Sequence, residues 1–195
     1  GSYLIHSNID MIAFVGSQAV GKIIMKAAGD KLKRIVLELG GKDPMIVLND
    51  ADLEKAANFA VNGSLRNTGQ VCVSVERIYV QEKAADKFTT LVANGVKNFK
   101  YGSGYDESVH MGPLVSKRQR DNVLSQVKDA VKKGARLITG GGIPKNNKGY
   151  FMEPTLITNL SHKHRIMNEE TFGPVVAIQK VKTEDEAVKL ANDSP

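Results

Sequence analysis

Ile9-Asp10-Met11-Ile12-Ala13-Phe14-Val15 is a short apolar run of the kind that forms a buried strand, and it passes directly into Gly16-Ser17. From Gln18 to Lys31 the pattern turns helical. Lys33-Arg34-Ile35-Val36-Leu37-Glu38-Leu39 is β-branched enough to be a second strand, closed by Gly40-Gly41, and a third apolar run, Met45 to Leu48, follows Pro44. Strand, helix and strand in that order predict a parallel α/β unit.

The pattern continues outward from this unit. Asn49-Asp50-Ala51-Asp52 opens a helix with Asn49 or Asp50 as its N-cap, running through Ala56, Ala57 and Ala60 to a stop near Asn67-Thr68-Gly69. Arg77 to Val80 reads as a strand, Ala84 to Phe99 as an amphipathic helix and Gly102 to Pro113 as a loop. Lys117 to Lys133 is helical and Arg136 to Thr139 extended. Gly140-Gly141-Gly142 with Pro144 to Gly149 forms a flexible connection. Phe151 to Leu156 and Val175 to Val181 are the last strand candidates, and Glu184 to Asn192 is a final helix. Neither end carries the polar tail that usually flanks an autonomous domain, so the chain reads as a piece of a longer protein.

Composition narrows the function classes. The 195 residues include 27 Lys and Arg against 21 Asp and Glu, a net charge of +6. These charges are interspersed and form no basic run, which argues against a nucleic-acid partner. No apolar run approaches the ~18 residues needed to span a membrane, and no basic segment precedes an apolar one as in a secretory signal. The single cysteine can form neither an intrachain disulfide nor a cysteine-based metal site. The expectation is a soluble, cytoplasmic, globular chain without a metal.

Three features could carry chemistry. Gly16-Ser17-Gln18-Ala19-Val20-Gly21-Lys22 is a glycine-rich turn between strand and helix, where unpaired N–H groups suit a phosphate. It approaches the triphosphate-binding loop but continues with Ile23, so the hydroxyl that would hold Mg²⁺ is missing. As a lone motif it is also compatible with a plain strand–helix turn. Cys72, in Asn67-Thr68-Gly69-Gln70-Val71-Cys72-Val73-Ser74-Val75-Glu76-Arg77, lies where a loop can present a reactive thiol, although a lone cysteine between valines is often a small buried hydrophobe. Glu38 ends an apolar strand, a setting in which desolvation would disfavour the ionised form and suit a general base; the alternative is an acid emerging into solvent.

Taken together, the strand–Gly-Ser-turn–helix, Glu38-Leu39-Gly40-Gly41-Lys42 and Asn67-x-Gly69-Gln70-x-Cys72 with Arg77 resemble the aldehyde dehydrogenase superfamily. Gly149-Tyr150-Phe151-Met152-Glu153-Pro154-Thr155 and Glu169-Glu170-Thr171-Phe172-Gly173-Pro174-Val175 extend the resemblance, which runs from about Ile9 to Asp193. It implies an α/β fold: residues 1–40 as the last strand–helix–strand of a Rossmann-like cofactor domain, and residues 41–195 as a truncated catalytic domain with a mostly parallel sheet flanked by helices.

The resemblance also implies roles. Cys72 would be the nucleophile and Glu38 the base that activates water. Gly16 and Ser17 would lie at the pyrophosphate of NAD or NADP, with Gly21 allowing close helix packing. Leu39 and Gly40 would offer backbone contacts near the nicotinamide. Glu170 would bond the nicotinamide ribose and Phe172 would pack beside the ring. Arg77 would anchor the cysteine loop, whereas His162 and His164 read as a solvated loop. The implied partners are a small aldehyde and other copies of the parent protein, as a dimer or tetramer. Because family members are at least about twice as long, the fragment alone is expected to be inactive and to expose an apolar face. Two rivals stand beside aldehyde oxidation: a coenzyme A-acylating semialdehyde dehydrogenase, against which Glu38 argues, and a non-catalytic relative, against which the intact Cys72 and Glu38 argue.

Overall fold

The computed structural model describes residues 1–145 and 148–194; the expected connection from Pro144 to Gly149 therefore falls partly outside the described residues. Its order is α1 (Ser2–His6), β1 (Met11–Gly16), α2 (Gln18–Gly29), β2 (Arg34–Leu39), β3 (Pro44–Val47), α3 (Leu53–Leu65), β4 (Arg77–Gln81), α4 (Glu82–Asn98), α5 (Lys117–Lys132), β5 (Arg136–Thr139), β6 (Thr155–Thr158), β7 (Val175–Val181) and α6 (Glu184–Ala191). The chain divides into two compact units, Gly1–Gly41 and Lys42–Pro195. No helix of the described residues is long and apolar enough to cross a membrane.

In the first unit, β1 and β2 form a two-stranded parallel sheet in which Val15 stands opposite Glu38 and Gly16 opposite Leu39. The crossover between them is α2, capped by the Ser17 hydroxyl, which accepts the Val20 N–H at 3.4 Å. Gly21 lets α2 pack closely on β2: a Cβ there would stand 2.7 Å from the Leu39 side chain, which would have to shift to admit it.

The second unit is a five-stranded sheet in the order β3-β4-β7-β6-β5, parallel except for the β5–β6 pair. Strand alternation sorts side chains onto two cores. Ile78, Val80, Val176 and Ile178 meet α3 and α4 through Phe88, Val92 and Val61 on one face. Tyr79, Val175, Ala177 and Val181 meet α5 and its neighbours through Val123, Val127 and Met167 on the other. A parallel sheet covered on both faces needs near-continuous apolar strands, and β4 and β7 supply them.

Several boundaries differ from the sequence expectation, each for a local reason. The cap of α3 is Asp52, whose Oδ1 accepts the Lys55 N–H, rather than Asn49 or Asp50; the Asn49 N–H is taken by the Gln81 side chain. The strand expected over Phe151–Leu156 occupies Thr155–Thr158 instead. Pro154 has no N–H to give a ladder, and the first paired residue, Thr155, donates to the Pro174 carbonyl. Helix α3 stops at Leu65: Arg66 leaves the helical conformation at φ −52°, ψ 138°, and Asn67 and Thr68 then turn left-handed.

Candidate active site

The segment that carries Cys72 is strained and pinned. Asn67, Thr68 and Gly69 all have positive φ, at 51°, 61° and 68°. Asparagine and glycine tolerate this region, but a β-branched threonine rarely does. The conformation is held from several sides. Asn67 Nδ2 donates to the Gln70 carbonyl, the Gln70 N–H returns to the Asn67 carbonyl, and Thr68 Oγ1 donates to the Gly112 carbonyl. Gln70 Oε1 accepts the Val115 N–H. Gly69 lies against the Gly173 backbone so closely that a Cβ would be 2.1 Å from its carbonyl oxygen. On the far side, Ser74 Oγ and the Val75 N–H both donate to the Gly63 carbonyl at the end of α3. Between these anchors Cys72 is exposed, as is Val73.

The second piece is the strip Glu170-Thr171-Phe172. Phe172 has φ +47°, costly for an aromatic residue. The peptide groups of the strip are bonded by side chains rather than by a strand. The Glu76 carboxylate accepts the N–H of Thr171 at 2.8 Å through Oε2 and that of Phe172 at 2.9 Å through Oε1. Gln119 Nε2 donates to the carbonyls of both Thr171 and Phe172, and Gln126 Nε2 to that of Glu170. Lys42 Nζ closes the group, donating to Glu76 Oε2 at 2.7 Å and to Thr171 Oγ1 at 2.8 Å, while Thr171 Oγ1 donates to Gln126. Lys42, Glu76, Thr171 and Gln126 are all buried. Burial pulls Lys42 below the usual lysine range, and the Glu76 carboxylate opposes that shift. Asp43 is pushed above the usual carboxylate range, first by burial and then by Glu76. Glu170 and Phe172 are both half-buried.

In the first unit, the Gly16-Ser17 turn leads into the N-terminus of α2, Leu39 packs on Gly21, and the Gly40 carbonyl accepts the Gln18 side chain. Glu38 is exposed on β2 within this chain.

Two expectations are corrected. Arg77 makes none of its bonds to the cysteine turn. It is fully buried, and its guanidinium donates to the carbonyls of Lys42, Leu190 and Ala191, capping the end of α6. His162 and His164 are not in a solvated loop. His164 is buried, and half-buried His162 sits 2.8 Å from the Tyr79 hydroxyl and 2.9 Å from Asp193. Sequence reasoning passed over Lys42, Glu76, Gln119 and Gln126. The available signal was an acid directly before a buried strand arginine, Glu76-Arg77, which local reading assigns to solvent.

The description "Aldehyde dehydrogenase family" matches residues 2–195. A mitochondrial aldehyde dehydrogenase of Leishmania tarentolae is 47% identical over 190 residues, 97% of this chain and 38% of that protein. Succinate-semialdehyde dehydrogenase [NADP(+)] 1 of Schizosaccharomyces pombe is 46% identical, with 96% of this chain and 38% of that protein covered. Among solved structures, betaine aldehyde dehydrogenase of Staphylococcus aureus in complex with NAD+ superposes with a TM-score of 0.93 at 43% identity, covering 97% of this chain and 38% of that one. The chain belongs to the aldehyde dehydrogenase family, and it spans about two-fifths of the length of these relatives.

Proposed function

We propose that the complete protein containing this chain oxidises an aldehyde to a carboxylic acid with NAD or NADP, using Cys72 as nucleophile and Glu38 as base. The observation that carries this reading is Cys72, exposed at the tip of a turn pinned on both sides and joined through Glu76 to the strip bearing Glu170 and Phe172.

The chemistry follows from the groups. The Cys72 thiolate attacks the aldehyde carbon, and the carbonyl π electrons move onto oxygen to give a thiohemiacetal. The Cys72 N–H is one donor to that oxyanion. NAD(P)⁺, when bound, would supply the hydride acceptor needed for oxidation to the thioester level. Glu38 removes a proton from water, whose oxygen adds to the thioester carbon; collapse expels the Cys72 thiolate and releases the acid.

The chain's residues fit such a cofactor in chemical type. The first turn of α2 after Gly16-Ser17 offers N–H donors of the kind that take a pyrophosphate. Glu170 supplies an acceptor for ribose hydroxyls and Phe172 an apolar edge for a nicotinamide. On this reading residues 1–40 are the closing part of a cofactor domain and residues 41–195 belong to the catalytic domain, and the complete protein is a homo-oligomer. The 195-residue chain alone is expected to be inactive.

The test is aldehyde-dependent NAD(P)H formation by the complete protein. We expect turnover that is abolished by Cys72→Ser, and product acid that forms without added coenzyme A. Turnover unaffected by Cys72→Ser, or dependent on coenzyme A, contradicts the assignment.

A further inference from the structure

We propose that Glu76 is the positioning residue that holds the cofactor-facing strip Glu170–Phe172 in register with Cys72, an inference that rests on the function proposed above. Glu76 lies four residues after Cys72, on the same pinned segment, and its own N–H is fixed on the Asp43 carbonyl at 3.0 Å. Its side chain reaches 95 and 96 residues along the chain to accept two successive N–H groups.

The plain alternative is that Glu76 only neutralises Lys42. One carboxylate oxygen would suffice for that. The second oxygen is spent entirely on the Phe172 N–H, and the first is shared with the Thr171 N–H. Bonds from N–H groups to an ionised carboxylate are short and strong, and a bidentate acceptor fixes orientation as well as distance. Orientation is what this strip lacks on its own: Phe172 sits at φ +47°, a conformation that persists only where its surroundings over-determine it. The strip is clamped on its N–H side by Glu76 and on its C=O side by Gln119, whose Nε2 donates at 3.0 Å to each of two carbonyls. Lys42 stabilises the clamp by keeping Glu76 paired, and through Thr171 Oγ1 it touches the same strip. A second, independent link runs from Gly69 to the Gly173 carbonyl. The ring of Phe172 and the carboxylate of Glu170 thus take their place from the cysteine segment itself.

Removing Glu76 alone leaves Lys42 buried and unpaired, which can unfold the protein for reasons unrelated to positioning. The informative variant is therefore Lys42→Met with Glu76→Met, which replaces the pair by apolar side chains of similar length and leaves the two N–H groups without an acceptor; Glu76→Gln, which keeps one acceptor, is the conservative companion. In the complete protein, hydrogen exchange of the peptide covering residues 169–174 should accelerate about tenfold or more in the double variant, with an intermediate effect in Glu76→Gln. The KM for NAD(P)⁺ should rise about tenfold, while alkylation of Cys72 without cofactor stays within about twofold of wild type. Combined with Phe172→Ala, the double variant should lose clearly less than the product of the two separate losses, the remainder being the part that runs through Glu170.

Unchanged exchange and unchanged KM in the double variant would overturn the proposal, as would losses that multiply with those of Phe172→Ala. Wild-type protein that oxidises no aldehyde would remove the proposed function by a separate route. The exchange rate of residues 169–174 would then still decide whether Glu76 holds the strip.

Discussion

The two sheets of this chain are made from strands of similar apolar content, yet they are buried to very different degrees. In β1 and β2 exposed and half-buried residues alternate, with Val15 79% exposed and Val36 45%. In β4 and β7 almost every residue is buried on both faces. The difference lies in neighbours. β4 and β7 each have a strand on either side and side chains from helices above and below, whereas among the described residues of this chain β1 and β2 pair only with each other. Apolar, β-branched sequence therefore marks a strand without stating how deeply it is covered.

The largest test of this contrast is a pair of truncations. Phe88→Ala, in the core between β4 and α4, should cost about 3–5 kcal/mol, whereas Val15→Ala should stay within about 0.5 kcal/mol. Urea unfolding of the chain followed by circular dichroism measures both, and equal costs would break the comparison. Gly69→Ala comes next, at about 2–4 kcal/mol, because its Cβ would meet the Gly173 backbone and its φ is +68°. The same melts should show it, together with altered alkylation of Cys72.

Helix caps give a smaller contrast. Asp52→Ala in the second unit should cost about 1 kcal/mol, and Ser17→Ala in the first about 0.5 kcal/mol, since the Ser17 bond is the longer of the two. The smallest effect is one of pH. Asp43 has its proton affinity raised by folding, so the native state binds more protons than the unfolded chain between about pH 3.8 and the raised folded value. Its contribution favours the fold at acid pH and is lost as pH rises through the elevated value. Asp43→Asn should flatten that part of the stability–pH curve, and an unchanged curve would dismiss the effect.

These contrasts also show which parts of the molecule were legible in sequence. β7, β5 and α4 were readable because each carries its own period and its own flanking breakers. The start of β6 was misread because Phe151 and Met152 are buried without being paired, and apolar character alone does not separate those states. Cys72 and Glu38 stood out through motifs whose meaning came from the family resemblance rather than from spacing. The bonds from Glu76 to Lys42 and Thr171 join positions 34 and 95 residues apart, and no local pattern announces such a pairing. The same holds for Arg77, whose partners on α6 lie more than 100 residues downstream.

The central claim is that Cys72 carries the acyl group and Glu38 lets water remove it. Intact mass spectrometry of the complete Glu38→Gln protein, quenched during incubation with an aldehyde and NAD(P)⁺, tests both halves at once. The account predicts one acyl adduct per chain, mapped to Cys72, accumulating in Glu38→Gln and absent when Cys72→Ser is added. An adduct on another residue, or Glu38→Gln protein that turns over at the wild-type rate with no adduct, would contradict it.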